Sequence, residues 1–305
     1  MCVYTRYEQL ATRRQSYQED HMAKPTSKSK TLEIKPITMA SARVHLLGTT
    51  PLIMHRFSSK SWRELLLPSQ EKNKAEKAET LKHDPLLEFR ECCYRNRDKN
   101  EPTAVHFPAG AFSKAIAAAA LDVPGATKSQ MLRLVSIAST QVNIYGVPML
   151  GMDMVRNSDM NRTPDVRTRA YFAEWCCAID IEYVSTLINQ TQIFNLVGAS
   201  GVIVGLGDYR PQKGGQHGKF MAVPPDDPNV ARIMKQGRAA QEAALLSPSF
   251  YNEDSAELYG WFTEEVARRE KVLVSASQNG MPLDQPKTLA AAKTKRNGKA
   301  AQVQA

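Results

Sequence analysis

Phe172-Ala-Glu-Trp-Cys-Cys-Ala-Ile-Asp-Ile-Glu-Tyr183 is the stretch on which the fold class turns. Trp175, Cys177, Ile179, Ile181 and Tyr183 alternate with Glu174, Cys176, Ala178, Asp180 and Glu182. A period of two puts the first set on one face of a strand and the second on the other. Burying one face and wetting the other is the habit of an antiparallel sheet. Downstream, Ile193, Leu196, Val197 and Val204 fall near helical spacing over 190–204, and Gly198, Ala199 and Gly201 are small enough for close approach to a sheet. A short strand at 219–223 completes a strand–helix–strand unit. Upstream, Ala42, Val44 and Leu46 alternate with Arg43, His45 and Leu47, predicting a first strand at 41–47 that Gly48-Thr-Thr-Pro51 ends. The expected core is α+β over 37–225, with strands 41–47 and 172–183 in one antiparallel sheet and the helix near 190–200 packed on it.

Residues 60–98, with Lys72, Lys74, Glu76, Lys77 and Glu79 close together, read as a charged helical insertion. Phe107-Pro-Ala-Gly110 leads into a helix over 111–121 that places Phe112, Ile116 and Ala120 on one face. A second helix over 128–138 and a strand over 140–145 follow. Residues 150–170 set Arg156, Arg162, Arg167 and Arg169 against Asp153, Asp159 and Asp165, the pattern of a protruding hairpin or a loop. Residues 226–280 form a helical C-terminal extension, with Trp261, Phe262 and Val266 as its docking face. The ends, 1–36 and 281–305, read as a flexible segment and a basic disordered tail, and Met22 is an alternative start.

The chain has 305 residues, 42% of them hydrophobic, enough for a sizeable core in one or two domains. No uninterrupted apolar run approaches a membrane span, and charged residues run through the N-terminus. A cytoplasmic protein with no membrane partner is therefore expected. The five cysteines include the adjacent pairs Cys92-Cys93 and Cys176-Cys177 but no C-x-x-C. That pattern fits reduced apolar fillers better than a zinc site or a disulfide framework, and no metal or cofactor is expected. Of the net charge of +9, residues 1–36 carry +3 and 285–305 carry +5, leaving +1 for 37–284. Any specific anion site in the core must come from local clustering. The same distribution makes the ends dispensable for folding: a chain trimmed to 37–284 should unfold cooperatively at an unchanged melting temperature in calorimetry.

Local clustering is what Gly205-Leu-Gly-Asp-Tyr-Arg-Pro-Gln-Lys-Gly-Gly-Gln-His-Gly-Lys-Phe220 offers. Five glycines (Gly205, Gly207, Gly214, Gly215 and Gly218) are interleaved with Arg210, Lys213 and Lys219, where a backbone can approach a phosphate closely. The loop follows a helix and precedes a strand, the reverse of the dinucleotide fingerprint. Gly218-Lys219 is followed by Phe220, so a P-loop fails too. Gly198-Ala-Ser-Gly201 lacks the spacing of a nucleophile elbow. Arg210 suits a bidentate phosphate clamp, against a plain ion pair to Asp208. Tyr209 suits base stacking, against packing within the loop. Arg167 and Arg169 share a strand face that suits a nucleic-acid backbone, against ion pairs to Asp165 or Glu174. Lys114 lies in the first turn of a helix, where the dipole favours anions. His217 and Arg56 flank these candidates.

The chain resembles a family of uncharacterised bacteriophage proteins in Gly48-Thr-Thr-Pro-Leu-Ile-Met-His55, in Arg167-Thr-Arg169 with Phe172 and Trp175, and in Gly205-Leu-Gly-Asp-Tyr-Arg-Pro211 with Gly218 and Phe220. The same layout resembles the RAMP superfamily, the RNA-binding backbone subunits of CRISPR effector complexes. That resemblance implies a ferredoxin-like (RRM/RAMP-like) antiparallel sheet core with a glycine-rich loop before the last core strand. It likens Phe107-Pro-Ala-Gly-Ala-Phe-Ser-Lys114 to a proline–glycine helix start and 150–170 to a thumb-like hairpin. The charged insertion at 60–98 and the helical C-terminus depart from the pattern. It implies a non-catalytic protein that holds single-stranded RNA or DNA, RNA before DNA, by the backbone, as a homo-oligomer or along a filament. Two other readings stand beside it. One is a metal-independent endoribonuclease, with His55 a better acid–base candidate than mid-strand His45. The other is a phage interference or structural protein that binds host subunits through 60–98 and the C-terminal helices.

Overall fold

The computed structural model describes residues 36–66, 83–156 and 162–278. The expected flexible segment at 1–36, the basic tail at 281–305 and the middle of the charged insertion lie almost wholly outside the described residues. Contacts divide the chain into Met1–Thr38 and Met39–Ala305, and every element described belongs to the second unit. Among the described residues, no helix is long and apolar enough to cross a membrane.

The main sheet holds β1 (Met39–Gly48), β5 (Val135–Ile137), β9 (Cys176–Val184) and β10 (Phe220–Val223). Its order is β10-β1-β9-β5, and every neighbouring pair is antiparallel. The register sets Ala42 opposite Ile181, Val44 opposite Ile179 and Leu46 opposite Cys177. These are the alternating apolar residues of the two expected strands, and all of them are buried. Helices α3 (Ala109–Ala119) and α5 (Gln190–Ala199) cover that face, with Phe112, Ile116, Ile193, Leu196 and Val197 in the same core. Four core strands and two covering helices thus run strand, helix, strand, strand, helix, strand along the chain. An Asn189–Gln192 capping box starts α5, each side chain bonding the other's backbone N–H. One π-helical turn, Ser200–Val204, extends α5 toward β10. There Gly201 permits the close approach expected of it, since a β-carbon would strike the Phe220 carbonyl, whereas Gly198 faces open space.

Two expectations are corrected. The stretch 172–183 is not one strand: Phe172 ends β8 (Pro164–Phe172), the chain bends at Ala173 and Glu174, and β9 starts at Cys176. Trp175 follows the bend, fully buried, with its indole Nε1 donating to the Thr50 carbonyl at 2.9 Å. The second helix ends early. α4 (Lys128–Leu134) gives way to β5, because Val135 and Ile137 pair with Tyr183 and Ile181 of β9. Tertiary pairing overrides local helical periodicity there.

The arginine-rich stretch is a hairpin. β7 (Pro148–Arg156) and β8 run antiparallel from Pro148 opposite Phe172 to Arg156 opposite Pro164. β2 (Leu52–Met54) joins β8 on the other side. A third sheet holds β3 (Tyr94–Arg95), β4 (Val105–Pro108) and β6 (Gln141–Asn143). The charged insertion contributes α1 (Ser59–Leu66) and α2 (Pro85–Cys92). The C-terminal extension is helical as expected: α6 (Pro228–Met234), α7 (Gly237–Leu246) and α8 (Glu253–Gln278). It docks through apolar contacts, with Val230 and Ile233 of α6 against Cys176 and with Leu245 of α7 in the main core, and through polar ones, while Trp261 of the expected docking face is 61% exposed. Gln241 of α7, 1% exposed, accepts from Ala104 N and donates to the Ile144 and Gly146 carbonyls. Ser249 and Tyr251 bond both sides of Leu150 and cap the β7 edge. Cys92, Cys93, Cys176 and Cys177 are free and buried, and burial pushes their thiols up, Cys92 and Cys176 to about 12. They are fillers rather than nucleophiles.

Candidate nucleic-acid interface

The glycine loop is pinned along its length to the turn between β1 and β2. Gly218 N donates to the Pro51 carbonyl at 2.8 Å, Asp208 N to Ile53 at 3.0 Å, and Lys219 N to Thr50 Oγ1 at 2.9 Å. Within the loop, Leu206 N donates to Gly218 and His217 N to Tyr209. Gly205, Gly214 and Gly215 also spend their N–H groups internally. The glycines therefore shape the loop, and the N–H groups of Gly205, Gly214, Gly215 and Gly218 are spent on the protein's own carbonyls rather than held out to a phosphate. Gly218 shows why glycine is needed: φ is +69°, and a β-carbon would collide with the Leu206 carbonyl. Gly218→Ala should cost about 1–3 kcal/mol of folding stability in denaturant titration.

The loop forms one wall of an open cleft of about 780 Å³. Gly205, Leu206, Gly207, Asp208, Arg210 and Gln212 line that side. The facing wall is the start of α3, with Pro108, Gly110, Ala111 and Lys114. Lys128 at the start of α4, Arg167 of β8, and His55 and Phe57 after β2 complete the rim. Pro108 is the N-cap of α3 and offers no side-chain cap; Ala109 N donates to the Thr140 carbonyl at 3.0 Å, and Gly110 and Ala111 of the same first turn line the cleft. A β-carbon on Gly110 would meet nothing within 4 Å. Helix dipole and cations thus converge on one space. Arg210 is pre-set there: its Nη1 donates to the Gly207 carbonyl at 3.0 Å, and its Nε and Nη2 to Gln212 Oε1 at 3.3 and 3.2 Å. The expected alternative, a pair with Asp208, does not form.

Asp208 serves another partner. Its Oδ2 lies 3.2 Å from Arg169 Nε and 3.4 Å from His55 Nδ1. The contact with His55, and then the Arg169 charge and the Tyr209 N–H, hold the Asp208 carboxyl at about 2 against burial. Arg169 is the main correction among the site residues. Its side chain is 3% exposed, donates to Asp153 Oδ2 at 2.9 Å, and lies 4.9 Å from the Tyr209 ring centre. It bolts the hairpin to the glycine loop and cannot track a phosphate chain. Tyr209, at φ +52° and 43% exposed, sets its ring against Arg169 of β8, a contact outside the loop. Asp153 also accepts from Tyr171 Oη at 2.7 Å, and burial pushes the Tyr171 hydroxyl well up.

Of the expected contacts, the cleft gathers Arg210, Lys114, Arg167, Gly205 and Gly207. Lys213, Lys219, Gly214, Gly215 and Gly218 lie outside its lining, and Lys219 Nζ bonds Gln216 at 2.6 Å. His217 packs near Tyr171 and Tyr209, with ring centres at 6.1 and 6.5 Å. Arg56 lines a neighbouring hollow instead. Lys128 and Phe57 were missed. Lys128 had a signal, since Thr127 and Gln130 form a capping box that starts α4 at that lysine. The wet face of the main sheet is no rival surface: it carries Arg43 paired with Asp180 at 3.8 Å, with Glu182 beyond. Glu174, the other expected partner of the hairpin arginines, pairs with Arg232 at 2.7 Å. Among the described residues, no group of three or more His, Cys, Asp or Glu side chains is placed to hold a metal ion. No family model matches the chain, and no curated protein matches it.

Proposed function

We propose that this chain is a non-catalytic protein that binds single-stranded nucleic acid by its backbone, in the cleft between the glycine loop and the start of α3. One observation carries the reading: Lys114, Lys128, Arg167 and Arg210, from four separate elements, line one cleft beside a helix start that has no side-chain cap, with Asp208 the only carboxylate in its lining among the described residues. A core of net charge +1 has no general reason to concentrate cations there. The strand order fourth, first, third, second, all antiparallel, supports a ferredoxin-like reading. The position of the glycine loop before β10 and the β7–β8 hairpin support likeness to the RAMP superfamily. With it go RNA before DNA, assembly as an oligomer or filament, and a role in phage within a bacterial cytoplasm.

Titration of labelled single strands at several salt concentrations tests this. Four phosphate contacts give a slope of log affinity against log salt of about −3. A slope near zero, or no binding, removes the reading. A metal-independent endoribonuclease is the second reading, favoured by His55 lying 3.4 Å from Asp208 at the cleft. RNA scission in the presence of a chelator, lost in His55→Ala, identifies it.

A further inference from the structure

The segment from the end of β2 through α1 carries large apolar side chains that stand in solvent. Phe57 is 71% exposed and Trp62, in α1, is 54% exposed. Leu65 and Leu66 are exposed too, and at i+3 and i+4 they share a helix face with Trp62. Single exposed apolar side chains are ordinary, whereas a cluster of them marks an interaction surface.

The position of the cluster says what covers it. Phe57 lines the cationic cleft and also a neighbouring hollow of about 290 Å³, so its ring stands on the ridge between the two spaces. Cations continue across that ridge, because Arg167 lines both spaces and Arg56 lines the hollow. The carboxylates of the hollow, Glu88 and Asp165, face His83, with Nδ1 2.9 Å from Glu88 Oε1 and Nε2 3.1 Å from Asp165 Oδ1. Ser58 and Ser61 line the hollow as well. Trp62 N donates to the Ser58 carbonyl at 3.2 Å, which sets Trp62 one helical turn on from that wall. The segment is fastened to α2 on both sides of Phe57. Arg56 N donates to the Cys92 carbonyl at 3.0 Å, and Ser59 N to Glu91 Oε2 at 2.8 Å.

We infer that bases of the strand held in the cleft stack on Phe57 and Trp62, which makes this segment a stacking platform continuous with the cleft. This rests on the backbone-binding reading above. A single strand carries a flat π-face beside every phosphate, so rings set next to cations suit it, and such stacking is indifferent to which base arrives.

The test uses the full chain at one salt concentration and two probes of equal length, oligouridine and an abasic ribose-phosphate chain. Oligouridine should bind on the order of tenfold tighter or more. Phe57→Ala and Trp62→Ala should each weaken oligouridine on the order of tenfold and the abasic chain far less, with an unchanged melting temperature. Trp62 itself gives a second readout. The chain has three tryptophans, of which Trp175 is fully buried, and Trp261→Phe removes the other exposed one. In that variant oligouridine should quench tryptophan emission and the abasic chain should not, and adding Trp62→Phe should abolish the quench. Equal affinity for the two probes, or a quench alike with both, overturns the inference while the cleft reading stands. A shift of Trp62 emission that follows protein concentration without nucleic acid also overturns it, and gives the face to a second copy of the chain. Failure of both probes to bind removes the cleft reading, and the inference with it.

Discussion

Arg169→Ala should lower folding stability by about 3–5 kcal/mol, the cost of breaking a buried ion pair and leaving a charge behind. The side chain is 3% exposed and joins Asp153 of β7, Asp208 of the glycine loop and the Tyr209 ring. Its loss strands Asp153 with the Tyr171 hydroxyl and Asp208 with His55. Arg169→Lys should recover little, because an ammonium cannot span two carboxylates and lie flat on a ring. The same junction is acid-sensitive. The Asp208 carboxyl stands at about 2 in the fold, against an ordinary 3.8. A depressed carboxylate adds stability above its unfolded value, and that contribution disappears as pH falls from about 4 toward 2. Solvent screening keeps it modest, since the Asp208 side chain is 40% exposed. Denaturant titrations of wild type and both variants at neutral pH, and of wild type at pH about 2, check all three statements. An Arg169→Ala protein as stable as wild type would remove the junction.

The double variant Lys114→Ala/Arg210→Ala carries the largest expected effect on binding. Both side chains line the cleft, from opposite walls, and neither is core. Two lost phosphate contacts should weaken single-strand binding on the order of 30- to 100-fold at about 50 mM salt and flatten the salt slope by roughly 1.5 to 2. The loss should be alike across sequences, because phosphate contacts set affinity without reading bases. Lys213→Ala/Lys219→Ala removes the same charge from the same loop but outside the cleft lining, and should change affinity about twofold or less. Equal losses in the two double variants would mean that net charge, not the cleft, does the binding.

The main sheet was legible because its two long strands alternate cleanly. Ala42, Val44 and Leu46 face Ile181, Ile179 and Cys177 as their spacing required. The short strands were not. β5 has three residues directly after a helix, and its identity lies in the partner Tyr183–Ile181 rather than in itself. In the site, Arg210 was legible as a cation among glycines and Arg167 as one on a strand face, whereas Lys114, expected in a first turn, is the sixth residue of α3 (Ala109–Ala119). The role of Arg169 was not legible, because residue type alone does not separate a solvated arginine from a buried one. Asp153 and Asp208, its partners, lie 16 and 39 positions away and meet it only in the fold. Phe57 carried no sequence signal, since an exposed ring matters only for what stands beside it.

Hydrogen exchange read by mass spectrometry, with and without a saturating single strand, puts the cleft most directly at risk. Backbone amides at 108–114 and 205–212 should slow on binding, with 167–169 following, while the wet face of the main sheet stays unchanged. Protection confined to 1–36 and 285–305, with none at 108–114 or 205–212, would contradict the cleft and assign the binding to the basic ends of the chain.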